Sequence, residues 1–244
     1  AGRVRYPLLG TTLDLGRTKG EVLISPQWVV VDKMMGTIWD GTFTGRILAQ
    51  IDDGDALNGS FVLQDMNLTS IGKSYDKKME KATVHGAIEF SSKGGNMNSI
   101  QAKGEAALVH GDLVEIPLFG FLGEALSNYI PGLGHLINYK ISRADCDFSI
   151  EKGYVRTSNF AAQGSNMSLE GGGWIRLSDL QVNSDFKLGL RGLPGFITSP
   201  VFLLAGGLFQ VRGTGPLSNV SWNFAPFSGG KAPVPPAAAP ARKR

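Results

Sequence analysis

The sequence predicts a mainly β protein: one long curled antiparallel sheet, an open groove or half-barrel, with two or three short amphipathic helical segments. Apolar residues recur with a period of two through most of the chain, and the segments between these runs are short and carry turn residues. In addition, 33 glycines and 12 prolines accompany 42% hydrophobic residues among 244, a composition that suits many short strands joined by tight turns better than a helical bundle. An all-β chain of this length is commonly one unit, so residues 1–227 are expected to form a single domain.

The strands follow from alternation, because successive side chains of a strand point to opposite faces. Trp39, Phe43, Ile47 and Ile51 share one parity, as do Val84, Ile88 and Phe90, and Ile100, Ala102, Ala106 and Leu108. In the run 144–150, Cys146, Phe148 and Ile150 fall on one face. Met167, Leu169, Ile175 and Leu177 repeat the pattern. The longest run places Leu180, Val182, Phe186, Leu188 and Leu190 on a dry face and Asn183, Asp185 and Lys187 on a wet one. Turn signals at 52–55, 93–96, 110–112, 151–153 and 163–166 separate the strands, and such short links imply antiparallel neighbours.

Three segments carry a helical pattern. Residues 70–81 are short and polar. Residues 117–138 place Phe119, Leu122, Leu126, Ile130, Leu133 and Ile137 at spacings of three and four, interrupted by Pro131 and Gly132. Few polar groups oppose that row, so Phe119, Phe121, Leu122, Leu126, Tyr129 and Ile130 are expected to meet a membrane or the mouth of a groove, or else to plug the end of the curled sheet. Residues 193–208 are apolar on most sides and contain Pro200; with prolines and glycines inside 192–210, a single membrane-spanning helix is not expected there. Residues 228–244 are rich in proline, alanine and glycine, without apolar period, and predict a disordered basic tail.

About a dozen strands cannot stay flat, since open sheets beyond about ten strands curl or split. At about 4.8 Å per strand the sheet would run about 60 Å, the length scale of a lipid. The dry face must be covered by the sheet rolling on itself, by a second sheet, or by a ligand. An apolar trough for acyl chains and a sandwich with a solid core are both compatible with the pattern.

The formal charge is +3, but Lys231, Arg242, Lys243 and Arg244 lie in the tail, and removing these four leaves the rest of the chain at −1. Basic residues are scattered singly, without the basic face and interleaved aromatics of a nucleic-acid binder. Cys146 is the only cysteine and reads as a small buried hydrophobe. His85, His110 and His135 have no second ligand at metal-binding spacing, so no metal or other cofactor is expected. Asp145 and Asp147 share a strand face and read as solvated rather than as an acid and base pair. Gly171, Gly172 and Gly173 precede no helix, which argues against a phosphate cradle and for the close approach of a neighbouring strand. No nucleophile motif is present, and an enzyme is not expected. The chain starts at Ala1 without methionine or a signal-like segment and reads as a fragment or processed product.

The run GEAALVHGDLVEIPLFGFLGEAL at 104–126 is similar to the strand, Gly-Asp turn and Ile-Pro step into an apolar helix found in the C-terminal region of AsmA-like envelope proteins, the group that includes the TamB-type and YhdP-type proteins. DCDFSIEKGYVRTSNF at 145–160 and SNMSLEGGGWIRLSDLQVNSDFKLGL at 165–190 resemble that family's paired strands closing on a long alternating one. FQVRGTGPLSNVSWNFAP at 209–226 resembles its final signature, and VVVDKMMGTIWDGTFTGRILAQI, within 29–64, a repeated strand pair. The resemblance is clearest over 104–226 and rests on the joint order of these features. It implies a lipid-handling segment of an envelope-spanning protein that binds phospholipid acyl chains in a hydrophobic β groove for transport between membranes. Its partners would be phospholipid, a membrane surface and envelope proteins. Its place would be the periplasm, with anchorage to the inner membrane through a part of the parent chain not present here. On this reading Cys146, Phe148, Ile150, Leu180, Val182, Phe186, Leu188 and Leu190 line the groove. The alternative is a non-catalytic structural or assembly module of the cell envelope.

Overall fold

In the computed structural model the residues described are 2–8, 11–51, 56–74, 81–93, 97–113, 141–165, 167–190, 208–217 and 219–226. They form thirteen strands: Gly2–Leu8 (β1), Thr11–Ile24 (β2), Trp28–Ile38 (β3), Gly41–Gln50 (β4), Ala56–Asn67 (β5), Thr83–Ser92 (β6), Gln101–Leu113 (β7), Ile141–Glu151 (β8), Tyr154–Gly164 (β9), Met167–Arg176 (β10), Gln181–Leu190 (β11), Leu208–Pro216 (β12) and Ser221–Pro226 (β13). One helix, Leu68–Ser74 (α1), and a 3-10 turn, Met97–Ser99, complete the described elements. Each strand pairs antiparallel with the next in sequence, from β1 to β13. The sheet is open: it does not close into a barrel, and β1 and β13 each pair with one neighbour.

The predicted class is therefore the observed one, with local corrections. Trp39 is not a strand residue. Trp39 and Asp40 both have positive φ, 47° and 61°, and make the two-residue link between β3 and β4 that matches the right-handed twist of a hairpin. Lys152 and Gly153, at 53° and 77°, do the same between β8 and β9, where a turn was expected. The turn expected at 110–112 lies instead inside β7, which runs to Leu113. Leu180 is in the turn before β11, at φ 55° and 40% exposed, so it does not continue the dry face of that strand.

Irregularities bend the sheet. β2, β3 and β5 each contain a register shift with a left-handed residue, Arg17, Lys33 and Asp65 respectively. Such bulges raise local twist and turn a strand away from the plane. Beside them sits a core of Ile38, Phe43 and Met66, against which Leu15, Met34, Trp39, Phe61, Leu63, Ile71 and Val84 pack.

α1 covers this corner. Its start is capped by Asn67, whose Oδ1 accepts from Thr69 N at 2.9 Å. Trp39 Nε1 donates to Ser74 Oγ at 3.0 Å, and Ser70 Oγ donates to Asp40 Oδ2, so the β3–β4 turn clamps the helix. The helix expected at 70–81 thus begins earlier, at Leu68, and is described to Ser74. The helical segments expected at 117–138 and 193–208, with Phe119, Phe121, Leu122, Leu126, Tyr129 and Ile130, lie outside the described residues apart from Leu208, which begins β12; so does the tail from 228 to 244.

Strand order fixes where each link leaves the sheet. Links after β2, β4, β6, β8, β10 and β12 lie at one rim; those after β1, β3, β5, β7, β9 and β11 lie at the other. α1 follows β5, so this second rim is the helical one. The strand ends that flank 114–140 and 191–207 are on the same helical rim.

Candidate functional site

Residues paired across an antiparallel ladder share a face, which lets each face be followed from strand to strand. Phe61 pairs with Gly45 and Ile88, Ile88 with Gly104, and Gly104 with Phe148. Further along, Ala162 pairs with Ala144 and Leu169, Leu169 with Leu188, and Leu188 with Phe209. From Val29 to Trp222, every described side chain paired on this face is uncharged. The other face carries Asp32, Arg46, Glu89, Lys103, Glu105, Asp147, Glu170 and Lys187.

The apolar face has an order that alternation alone did not reveal. Its aromatic rings lie over cross-strand glycines: Phe43 over Gly36, Phe61 over Gly45, Phe90 over Gly59, Phe148 over Gly104 and Trp222 over Gly213. A Cβ at Gly36 would stand 2.6 Å from Phe43 Cε1, and one at Gly59 2.6 Å from Phe90 Cζ, closer than real Cβ contacts come. The missing side chain is what lets each ring lie down on the neighbouring strand and shield its peptide groups from water. The rings then meet one another. Phe43 and Phe61 are edge to face at 6.2 Å, and Phe61 and Phe90 are stacked at 6.2 Å. Phe160 and Phe186 meet at 5.5 Å, and Phe186 and Trp222 are stacked at 6.4 Å. Between the two runs, Ala102, Gly104, Ala106, Ala144 and Cys146 keep the face low. The sequence signal for this arrangement was the recurrence of glycine and phenylalanine two apart, as in Gly59 and Phe61 or Phe43 and Gly45.

Burial divides the expected groove residues. Cys146, Phe148 and Ile150 are half-buried on β8, beside Phe61, Ile88 and Phe90, which are also half-buried. Val182, Phe186 and Leu188 are buried on β11; Leu169 and Leu188 are fully enclosed, and Val211 on β12 nearly so. The register brings Cys146, Phe148, Ile150, Val182, Phe186 and Leu188 onto one face. The Leu190 backbone pairs with Met167 at the end of β11; its side chain is outside the described residues.

Burial raises the Cys146 thiol above its ordinary pKa, and the negative charges of Asp147 and Asp145 raise it further, which favours the neutral thiol over the thiolate. Asp185 departs from expectation. It is on the charged face but buried, accepting two hydrogen bonds from Gln210 Nε2, at 2.9 and 2.7 Å, and one from Arg212 Nη2 at 2.9 Å. Both partners come from β12. Gly171, Gly172 and Gly173 sit where a Cβ would strike the backbone of β9 or β11, the close approach expected of them, and the β9–β10 register shifts there.

The charged face bears a cavity of about 800 Å³ lined by Glu89, Lys103, Glu105, Asp147, Arg156 and Asn159 among others. Asn159 Nδ2 donates to Asp147 Oδ2 at 2.7 Å and Asp147 N donates to Asn159 Oδ1 at 2.9 Å, a reciprocal pair that ties β8 to the irregular stretch of β9. Among the described residues no group of three or more His, Cys, Asp or Glu is placed to hold a metal ion. Also among them, no helix is long and apolar enough to cross a membrane.

No family model, no curated protein and no solved structure matches the chain.

Proposed function

We propose that the protein is a non-catalytic, lipid-handling β module of AsmA-like type, and that phospholipid acyl chains lie on its apolar face over β4 to β8. The observation that carries this reading is the uncharged face that continues from β3 to β13 while its middle part, at Phe61, Ile88, Phe90 and Phe148, stays partly open. At about 4.8 Å per strand the uncharged face from β3 to β13 runs about 50 Å and its part over β4 to β8 about 20 Å, the scale of the hydrocarbon of one bilayer leaflet. Flexible acyl chains suit a surface made almost entirely of aliphatic groups, rings and bare glycine backbone, because burial there needs no directional partner. The face where β10, β11 and β12 run together is closed, and supports the channel wall instead of lining it. The sequence resemblance over 104–226 supports the same reading, on which the parent protein would stand in the periplasm, anchored to the inner membrane. There it would move phospholipid between membranes alongside other envelope proteins. The apolar segment at 117–138, joined to the sheet at the helical rim, would meet the membrane or the groove mouth.

Extraction of lipid from the purified chain, followed by mass spectrometry, tests the proposal. Co-purified phospholipid is expected, with loss of most of it in Ile88→Asp. Reproducible absence of lipid from the wild-type protein would leave a structural or assembly module as the better reading.

A further inference from the structure

A second apolar feature stands at the rim opposite α1. Val22, Leu23, Ile24, Trp28 and Ile51 are exposed by 57%, 54%, 76%, 37% and 52%. They surround one tight hairpin end, where Ser25 N donates to Trp28 O at 2.8 Å and Trp28 N donates to Ser25 Oγ at 3.1 Å. Ile51 N donates to Gln27 O at 2.8 Å, which ties the end of β4 to the same turn. The tip is apolar on both faces of the sheet. Val22 and Ile24 pair with Val31 and Val29 on the uncharged face, whereas Leu23 pairs with Val30, and Trp28 with Gln50, on the other.

No charged residue lies between Glu21 and Asp32 in the sequence. The first charges form a belt below the tip and are paired across it: Lys33 Nζ with Glu21 Oε1 at 2.9 Å, and Arg46 Nε with Asp32 Oδ1 at 3.6 Å. From that belt to the turn is about 13 Å of strand, at about 3.3 Å per residue. A protein docking on a sheet covers one face and would leave the other wet. An apolar layer entered end-on desolvates both at once and keeps the belt at headgroup level, with Trp28 at the tip itself, about 13 Å beyond the belt at about 3.3 Å per residue. Asp52, Asp53 and Asp55 follow Ile51 in the sequence, so the chain next to the tip carries negative charge and no counter-charge for anionic headgroups. We infer that the β2–β3 tip dips into a lipid surface with zwitterionic headgroups and is held there by apolar burial rather than by charge.

The inference does not rest on the groove reading. The 244-residue chain is floated with phosphatidylcholine vesicles beside Leu23→Ser with Ile24→Ser, both at exposed positions where folding is little affected. The vesicle-bound fraction is expected to fall by roughly tenfold or more, from two lost apolar contacts, while co-purified lipid stays at the wild-type level and added salt changes nothing. With brominated phosphatidylcholine, Trp28 emission is quenched in the wild type, and that component disappears in Trp28→Phe. Three results would each overturn the inference: a double variant that floats like the wild type, binding that needs anionic lipid and falls with salt, or a tip that drives concentration-dependent self-association without vesicle binding. Failure of the groove reading shows separately, as a wild-type protein without co-purified lipid.

Discussion

Phe61 lies across Gly45, and a Cβ at Gly45 would meet both the ring, at 2.7 Å from Cε1, and the backbone oxygen of Ser60, at 2.5 Å. The oxygen cannot swing aside, so the ring and the strand would both have to move. Gly45→Ala should therefore cost about 1–3 kcal/mol in denaturant unfolding, as overpacking does. At Gly86 the nearest obstacle is Glu105 O at 3.2 Å with no ring above it, and Gly86→Ala should cost clearly less. Cys146 tests the electrostatics of the same face. With its thiol raised above the ordinary 9.0 by burial and by Asp147 and Asp145, the stability gained from the neutral thiol is present below that value and is lost as pH rises through the folded one. Thermal melts across the alkaline range should show a decline in the wild type that is weaker in Cys146→Ala. Asp185 shows where single-residue reading stops. Alternation put it on the charged face, which is correct, but its burial depends on Gln210 and Arg212, which come from a strand whose register no local pattern discloses. Asp185→Ala removes the buried acceptor of three hydrogen bonds and should cost about 1–3 kcal/mol in denaturant unfolding.

At the scale of elements, alternation identified strands well and their ends poorly. The parity that runs through Phe43, Ile47 and the residues before them does not change at a two-residue turn, so Trp39 looked like strand although its positive φ makes it turn. The same limit hid the continuation of β7 through Gly111 and Asp112, residues that usually signal a turn but here extend a thirteen-residue strand. The ring-over-glycine pairs were not legible for a different reason: glycine reads as turn chemistry in a sequence, and its role as a bed for a neighbour's ring appears only once the cross-strand partner is known. α1 is short enough to depend on its cap and its clamp. A seven-residue helix has little stability of its own, so Asn67→Ala should lower global stability by about 1 kcal/mol, read by urea unfolding. If the Trp39 and Ser70 contacts alone hold the corner, that substitution will be silent.

At the scale of the whole molecule, the open meander separates two kinds of apolar surface within one continuous face. Where β10, β11 and β12 run together, Leu169, Leu188 and Val211 have almost no contact with solvent, and Phe186 is 5% exposed, as in any packed core. Across β4 to β8, away from the buried corner at Phe43 and Met66, the same face is made of half-buried rings and aliphatic groups separated by alanines and glycines. Two aspartates introduced on this face should then behave differently. Phe186→Asp buries a carboxylate with no partner beside Phe160 and Trp222, a change that costs several kcal/mol and exceeds the margin of a typical domain; the chain should fail to fold, with loss of its near-ultraviolet circular dichroism. Ile88→Asp falls where water can reach the new carboxylate, so the sheet should persist with its spectrum intact while lipid loading drops. If both variants unfold alike, the face is a solid core from end to end and no acyl chain lies on it. If Ile88→Asp folds and still carries the wild-type amount of lipid, the lipid is held somewhere other than β4 to β8.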